Sequence, residues 1–415
     1  MTPLGKLATA LTAGLLSASL LAPPATAGPT AASVTSSVVT SSVATSSTAS
    51  AKALTPVWDR PGGERMVAFG DSFVAGPLVN PMRLDSGACL RSKGNFPTLV
   101  AQTLDVNSFV DASCSGAVVA DLYEAQGSNP PQLDALTRDT TLVSFGMLGG
   151  NDIGLVGLAL GCLTSNCLPA AGTDPLAEEF VELEGDLVQA IADTRARAPR
   201  AQILMHGYGT YLPPGGCPQK ILGLSSGEAD YLQAQINRLS ETIEQVAADT
   251  GVDFVDHRTI PGIADHTACA APRDQWIRAV ATYFDGAPLH PSAAGMVAAA
   301  DHVVATLAKT RRTTVEEIRL DALRRKGRSV SMAVSCRLLG SVVRADVDGR
   351  GAIDHVELRM DGRAIAVDSK APWVLRAATK DVRTLAGPVR AVVTLRDDEL
   401  TVRRNLTAER PRCLA

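Results

Sequence analysis

The sequence predicts an α/β protein: a parallel sheet with helices on both faces, followed by a small all-β domain, an immunoglobulin-like sandwich. Three observations carry this. Between residues 58 and 309 short apolar runs alternate with long amphipathic ones, the pattern of parallel strands joined by helical crossovers. Beyond residue 328 helical spacing gives way to a period of two, which marks strands. The charge changes sign between the two, after the body ends at Lys309. Through Lys309 there are 17 basic and 29 acidic residues, and from Arg311 onward 22 and 14, so an acidic body carries a basic tail.

The 415 residues are 46% hydrophobic and 20% charged, with a net charge of −4. This is enough apolar material for a sizeable core and excludes wholesale disorder. The balance also argues against nucleic acid as a partner. At the start, Lys6, the apolar run Leu7–Leu21 and the small residues Ala25-Thr26-Ala27 read as an export signal cleaved near Ala27. Residues 28–57 read as a Ser/Thr-rich linker. Eight cysteines behind an export signal predict four disulfides formed in an oxidising, extracellular setting.

In the body, domain 58–309, strands are expected at Met66–Phe69, Thr140–Leu148, Ala201–His206 and Val252–Val255. Helices are expected over Pro175–Arg197, Ser226–Asp249 and Ser292–Leu307, the second with Leu232, Ile236, Leu239, Ile243 and Val246 on one face. In such folds ligands bind beyond the carboxyl ends of the strands, and those ends carry a pattern. Gly70-Asp71-Ser72 places a hydroxyl at a strand-to-helix turn. Ser113-Cys114-Ser115-Gly116 follows the next βα step, Gly149-Gly150-Asn151-Asp152 follows the Thr140 strand, and His290-Pro291 opens the last helix. Each alone is ordinary turn or cap material. Together, in that order, they supply a nucleophile, two oxyanion donors and a base, the minimum for acyl transfer.

The quartet Ser72, Gly116, Asn151 and His290 resembles that of the SGNH (GDSL) hydrolases, and Val67-Ala-Phe-Gly-Asp-Ser-Phe-Val-Ala-Gly76 is similar to their nucleophile block. The Cys-Ser-Gly of the second block resembles the secreted actinobacterial esterase branch. Over about residues 62–309 the resemblance implies a flavodoxin-like three-layer fold and hydrolysis of an ester or lipid substrate through Ser72, with His290 as base and no cofactor or metal. It implies an oxyanion hole from Ser72, Gly116 and Asn151. It also implies sequential bridges, Cys89–Cys114, Cys162–Cys167 and Cys217–Cys269, a pairing that spacing alone leaves open. A Gly-x-Ser-x-Gly elbow is absent around Ser72, which argues against the α/β-hydrolase fold.

The sequence departs from the family at one point. The aspartate expected three residues before the histidine is Ala287. Two substitutes present themselves: the backbone carbonyl of Ala287, as in esterases with a Ser–His dyad, or the Asp285 carboxylate. The carbonyl is favoured, because Pro288 holds Ala287 in extended geometry. Of the other histidines, His206 is expected to be structural or to line the pocket, and His257, His266, His302 and His355 to lie at surfaces or caps.

Residues 310–327 read as a charged linker or solvated helix. In 328–415, His355–Met360, Ala364–Val367 and Val389–Leu395 alternate as strands, with Cys336 and Cys413 placed to tie the first strand to the last. The basic charge suits weak docking on anionic cell-wall polymer or lipid head groups. The expected protein is a secreted monomeric serine esterase or lipase. A carbohydrate O-deacetylase and a non-catalytic cell-surface adhesion protein are the rival readings.

Overall fold

The computed structural model describes residues 63–281 and 283–414. The expected export signal and linker lie outside the described residues. Strands β1 (Arg65–Phe69), β2 (Ser108–Asp111), β3 (Leu142–Phe145), β4 (Gln202–His206) and β5 (Asp253–Val255) pair in parallel in the order β2-β1-β3-β4-β5. Every residue of β3 is buried and all of β1 but its first, as required of strands covered on both faces. This is the flavodoxin-like order, and its switch point lies between β1 and β3.

Helices α1 (Ser72–Ala75), α2 (Phe96–Thr103), α3 (Leu155–Thr164), α4 (Ala177–Arg197), α5 (Ser226–Thr250) and α6 (Ala293–Thr310) complete the unit. Helix α5 begins at a reciprocal cap between Ser225 and Glu228, ends at Gly251 in the left-handed region, and buries the five residues its spacing predicted. Three elements of this unit, α2, β2 and α3, are not among those the sequence pattern names. Strand β2 is a short sheet edge with one fully buried residue. Helix α3, Leu155-Val-Gly-Leu-Ala-Leu-Gly-Cys-Leu-Thr164, buries only Leu155 and Cys162 and so shows no clear periodicity. Cys162 stands in this helix, and its bridge to Cys167 encloses the short turn that ends it.

The charged stretch after α6 forms helix α7 (Val315–Arg328), capped by Thr314. Ile318 belongs to the core of the α/β unit and Leu323 to the core of the β-domain, so one helix serves both. Arg319 pairs with Asp397 (2.8 Å) and Asp398 (2.5 Å), and Arg325 donates to the Leu104 carbonyl. Strands β6 (Ser331–Arg337), β7 (Val342–Asp348), β8 (Ile353–Met360), β9 (Arg363–Asp368), β10 (Val374–Ala378), β11 (Val389–Asp397) and β12 (Leu400–Ala408) follow. They form two antiparallel sheets, β10-β7-β6 and β12-β11-β8-β9. Alternate residues such as Val343, Ala345, Val356, Leu358, Ala391 and Val393 fill the core. Four disulfides join Cys89–Cys114, Cys162–Cys167, Cys217–Cys269 and Cys336–Cys413.

Candidate active site

Strand β1 ends at a turn that only glycine permits. Gly70 has φ +144°, and a Cβ there would lie 2.3 Å from Val74 Cγ2. The Asp71 carboxylate then caps α1 by accepting from the Phe73 N–H at 2.8 Å. Ser72 is thereby the first residue of a helix, with its N–H in the free first turn. Its hydroxyl donates to His290 Nε2 at 2.7 Å, across 218 residues of chain.

His290 Nδ1 lies 2.6 Å from the Pro288 carbonyl. A carbonyl only accepts, so Nδ1 carries the proton and Nε2 is left to accept from Ser72. This corrects the expectation of the Ala287 carbonyl. The Ala287 C=O accepts instead from the His290 backbone N–H at 3.2 Å. That bond closes a turn with Pro288 second and Leu289 third at φ +62°, the type II pattern. The carbonyl between those two residues is that of Pro288, and it is the one that meets the ring. Asp285 is engaged elsewhere, paired through both oxygens with Arg278 at 2.9 and 2.5 Å. Loss of solvent around the ring lowers the His290 pKa, while the Pro288 carbonyl opposes the shift.

The other two blocks are hydrogen-bonded to the end of β1 and to each other. Cys114 N–H donates to the Gly70 carbonyl at 2.9 Å and Ser115 N–H to the Cys89 carbonyl at 3.1 Å. The Cys89–Cys114 bridge therefore fixes the Gly116 turn to the end of β1. Gly116 itself is at φ +79°. Asn151 Nδ2 donates one hydrogen to the Ala117 carbonyl at 2.8 Å, leaving its second available.

Three neighbours were not anticipated from the sequence. The Phe73 ring lies 4.7 Å from the His290 ring, stacks on Tyr211 at 5.2 Å and meets Tyr208 edge-on. Fully buried Tyr208 donates to Asp71 at 2.6 Å and accepts from the Gly150 N–H at 3.1 Å, so it ties the Ser72 turn to the Asn151 turn. Gly150 permits this approach, since a Cβ there would lie 2.8 Å from the Tyr208 oxygen. Burial pushes the Asp71 carboxyl up to about 7, against the hydrogen bonds from Tyr208 and Phe73. The only sequence signal was position, because Tyr208 follows the end of β4.

Beside His290 opens an apolar cavity of about 80 Å³, walled by Phe73, Leu155, Leu212, Leu232 and Leu289 among others. The Cys217–Cys269 bridge holds two parts of its wall, through neighbouring Ile221 and Ala268. His206 is not among the wall residues. It is buried, with Nε2 3.0 Å from Ser144 Oγ and Nδ1 3.1 Å from His257 Nε2. His257 is equally buried, not at the surface or a cap end as expected, because the end of β4 and the short helical turn His257–Thr259 after β5 bring the two rings together.

A hydroxyl held by an oriented neutral imidazole, beside an apolar cavity, is equipped for acyl transfer. Residues 68–298 match the GDSL-like Lipase/Acylhydrolase family. The chain belongs to this family. It is similar to Lipase 2 of Streptomyces coelicolor, 34% identical over 255 residues, or 58% of this chain and 85% of the relative. An esterase of Streptomyces scabiei is 28% identical over 49% of this chain and 72% of its own. The crystal structure of phospholipase A1 from Streptomyces albidoflavus NA297 superposes with a TM-score of 0.50 at 28% identity, covering 59% of this chain and 99% of that one. The protein is a carboxylic ester hydrolase. The four disulfides fit an oxidising compartment, and no helix among the described residues is long and apolar enough to cross a membrane.

Proposed function

We propose that this hydrolase is an exported, monomeric serine esterase or lipase that works through an acyl-enzyme on Ser72. The observation that carries the reading is the 2.7 Å contact between Ser72 Oγ and His290 Nε2 beside an apolar cavity. His290 takes the Ser72 proton as Oγ attacks the ester carbonyl, then gives it to the departing alcohol. Water attacks the acyl-enzyme with His290 again as base, which releases the acid and restores Ser72. The N–H groups of Ser72 and Gly116 and the second hydrogen of the Asn151 amide hold the oxyanion, each such donor being worth about 10²–10³ in rate. The Pro288 carbonyl sets the His290 tautomer, and the apolar cavity takes the acyl chain.

The β-domain has a supporting role. A groove across its four-stranded sheet is lined by Arg359, Arg390, Asn405 and Thr407, with Asp361 its one acid, and this balance suits weak docking on an anionic cell-wall polymer. Hydrolysis of nitrophenyl esters from acetyl to palmitoyl, beside acetylated xylan, tests the main reading. Release from the nitrophenyl esters is expected, and Ser72→Ala should leave less than about one per cent of it. Higher residual activity would mean another nucleophile. Release from xylan alone would make the enzyme a carbohydrate deacetylase.

A further inference from the structure

The rim of the apolar cavity is itself apolar and uncovered. Val156 of α3 lines the cavity, and Leu160, one turn further along the same helix, is 53% exposed. Leu222 is 82% exposed and follows Ile221 of the cavity wall. Phe284 is 81% exposed, in the loop between two other wall residues, Arg278 and Leu289. A surface helix ordinarily turns charged side chains to solvent, yet there is no charged residue between Asp152 and Asp174. Residues 221–227 carry none either. The Phe284 loop has one cation and one anion between Ile277 and Leu289, and these neutralise each other in the Arg278–Asp285 pair.

The backbone at Phe284 is also anchored. Phe284 has φ +60°, a conformation that is strained for an aromatic residue, and its carbonyl accepts from Asn80 Nδ2 at 3.0 Å. An outlying backbone torsion and a large exposed ring thus coincide at Phe284, and exposed apolar patches mark binding surfaces.

We propose that the rim formed by Leu160, Leu222 and Phe284 is a docking surface for a lipid–water interface, from which an acyl chain passes directly into the cavity. This rests on the cavity being the acyl site. Continuity selects the occupant. The rim runs into a wall that is apolar but for the buried Arg278, neutralised by Asp285, and that ends at His290, so an acyl chain leaving a lipid layer meets apolar side chains on its path. A second copy or a protein partner seated there would cover the entrance to Ser72. The lack of net charge suits a neutral or zwitterionic surface, in contrast to the basic groove of the β-domain.

The test uses the full chain carrying Ser72→Ala, so that the lipid survives, with phosphatidylcholine vesicles in a flotation assay. Vesicle binding that is unchanged between 0.05 and about 0.5 M salt is expected, because no charge pairing is screened. Adding L160S, L222S and F284S together should lower partitioning by at least about tenfold, given the apolar area lost. V367S, at a similarly exposed site on the β-domain, should not change it. With Ser72 intact, the triple variant should hydrolyse nitrophenyl butyrate in solution within about threefold of the parent, which also shows that it folds. Absence of vesicle binding, or equal binding by the triple variant, would overturn the proposal. So would binding abolished by salt, which would assign it to the basic domain. A dimeric parent that becomes monomeric in the triple variant would make the rim an interface between copies. Failure of the acyl-site reading is seen separately, as rates on soluble esters that are indifferent to chain length.

Discussion

At the level of single residues, the orientation of His290 is the point on which this enzyme departs from a Ser–His–Asp arrangement. A carbonyl fixes the tautomer as well as a carboxylate does, but stabilises the imidazolium less. The nearest candidate carboxylate, Asp285, neutralises Arg278, whose side chain is almost wholly buried in the cavity wall. Asp285→Asn should therefore reduce kcat by less than about tenfold, whereas removal of a triad aspartate costs about 10⁴. Its main effect should be a lower Tm, because a buried guanidinium loses its counter-charge. Steady-state kinetics beside a thermal melt checks both, and a kcat loss near 10⁴ would make Asp285 the partner of His290. The absence of a carboxylate at position 287 was legible in the sequence. Which carbonyl replaces it was not, because a type II turn moves the choice by one residue, and that turn depends on Leu289 accepting a positive φ.

At the level of elements, β4 and the short helical turn after β5 carry a buried pair, His206 and His257, that the catalytic reading does not use. The rings meet at 3.1 Å under the Phe96 ring. Burial lowers both pKa values, that of His206 to about 3 and that of His257 well below its ordinary value. The folded-state values lie below the unfolded value near 6.5. The stability owed to the neutral rings is therefore complete above pH 6.5 and is lost as pH falls from there toward 3. His206→Gln removes one titrating ring. Its stability deficit relative to the parent should shrink by roughly 2–3 kcal/mol between pH 7 and 4.5, at about 1.4 kcal/mol per pH unit below 6.5. Urea unfolding at the two pH values measures this, and a deficit independent of pH would show that His206 does not stay neutral. Strong periodicity made α5 and the central strands readable. Helix α3 was not readable, because nothing in its composition separates a buried face from an exposed one.

At the level of the whole molecule, α7 is not a spacer. Ile318 packs in one core, Leu323 in the other, and Arg311 pairs with Glu64 at 3.0 Å with both side chains buried. A chain ending at Arg328 leaves Leu323 without the β-domain core that covers it. That truncation should lower the Tm by several degrees, as expected for a few kcal/mol of lost burial. The kcat/KM on nitrophenyl butyrate, measured below the new Tm, should stay within about threefold, because Ser72 and His290 lie at the carboxyl ends of the strands while α7 reaches Leu104 beside the other end. An unchanged Tm would show that the helix does not depend on the β-domain.

The amino acids alone determined the alternation that makes a parallel sheet, the four blocks at its strand ends and the period-two pattern of the last domain. Each of these is a local record: a periodicity, a glycine where a turn needs one, a residue type at a strand end. The tertiary structure alone decided that the Pro288 carbonyl meets His290, that Tyr208 bridges the Ser72 and Asn151 turns, that two histidines pair in the core, and that α7 is shared. These contacts join residues far apart in sequence or hang on one backbone torsion, and neither a distant contact nor a single torsion leaves a periodic trace in the chain.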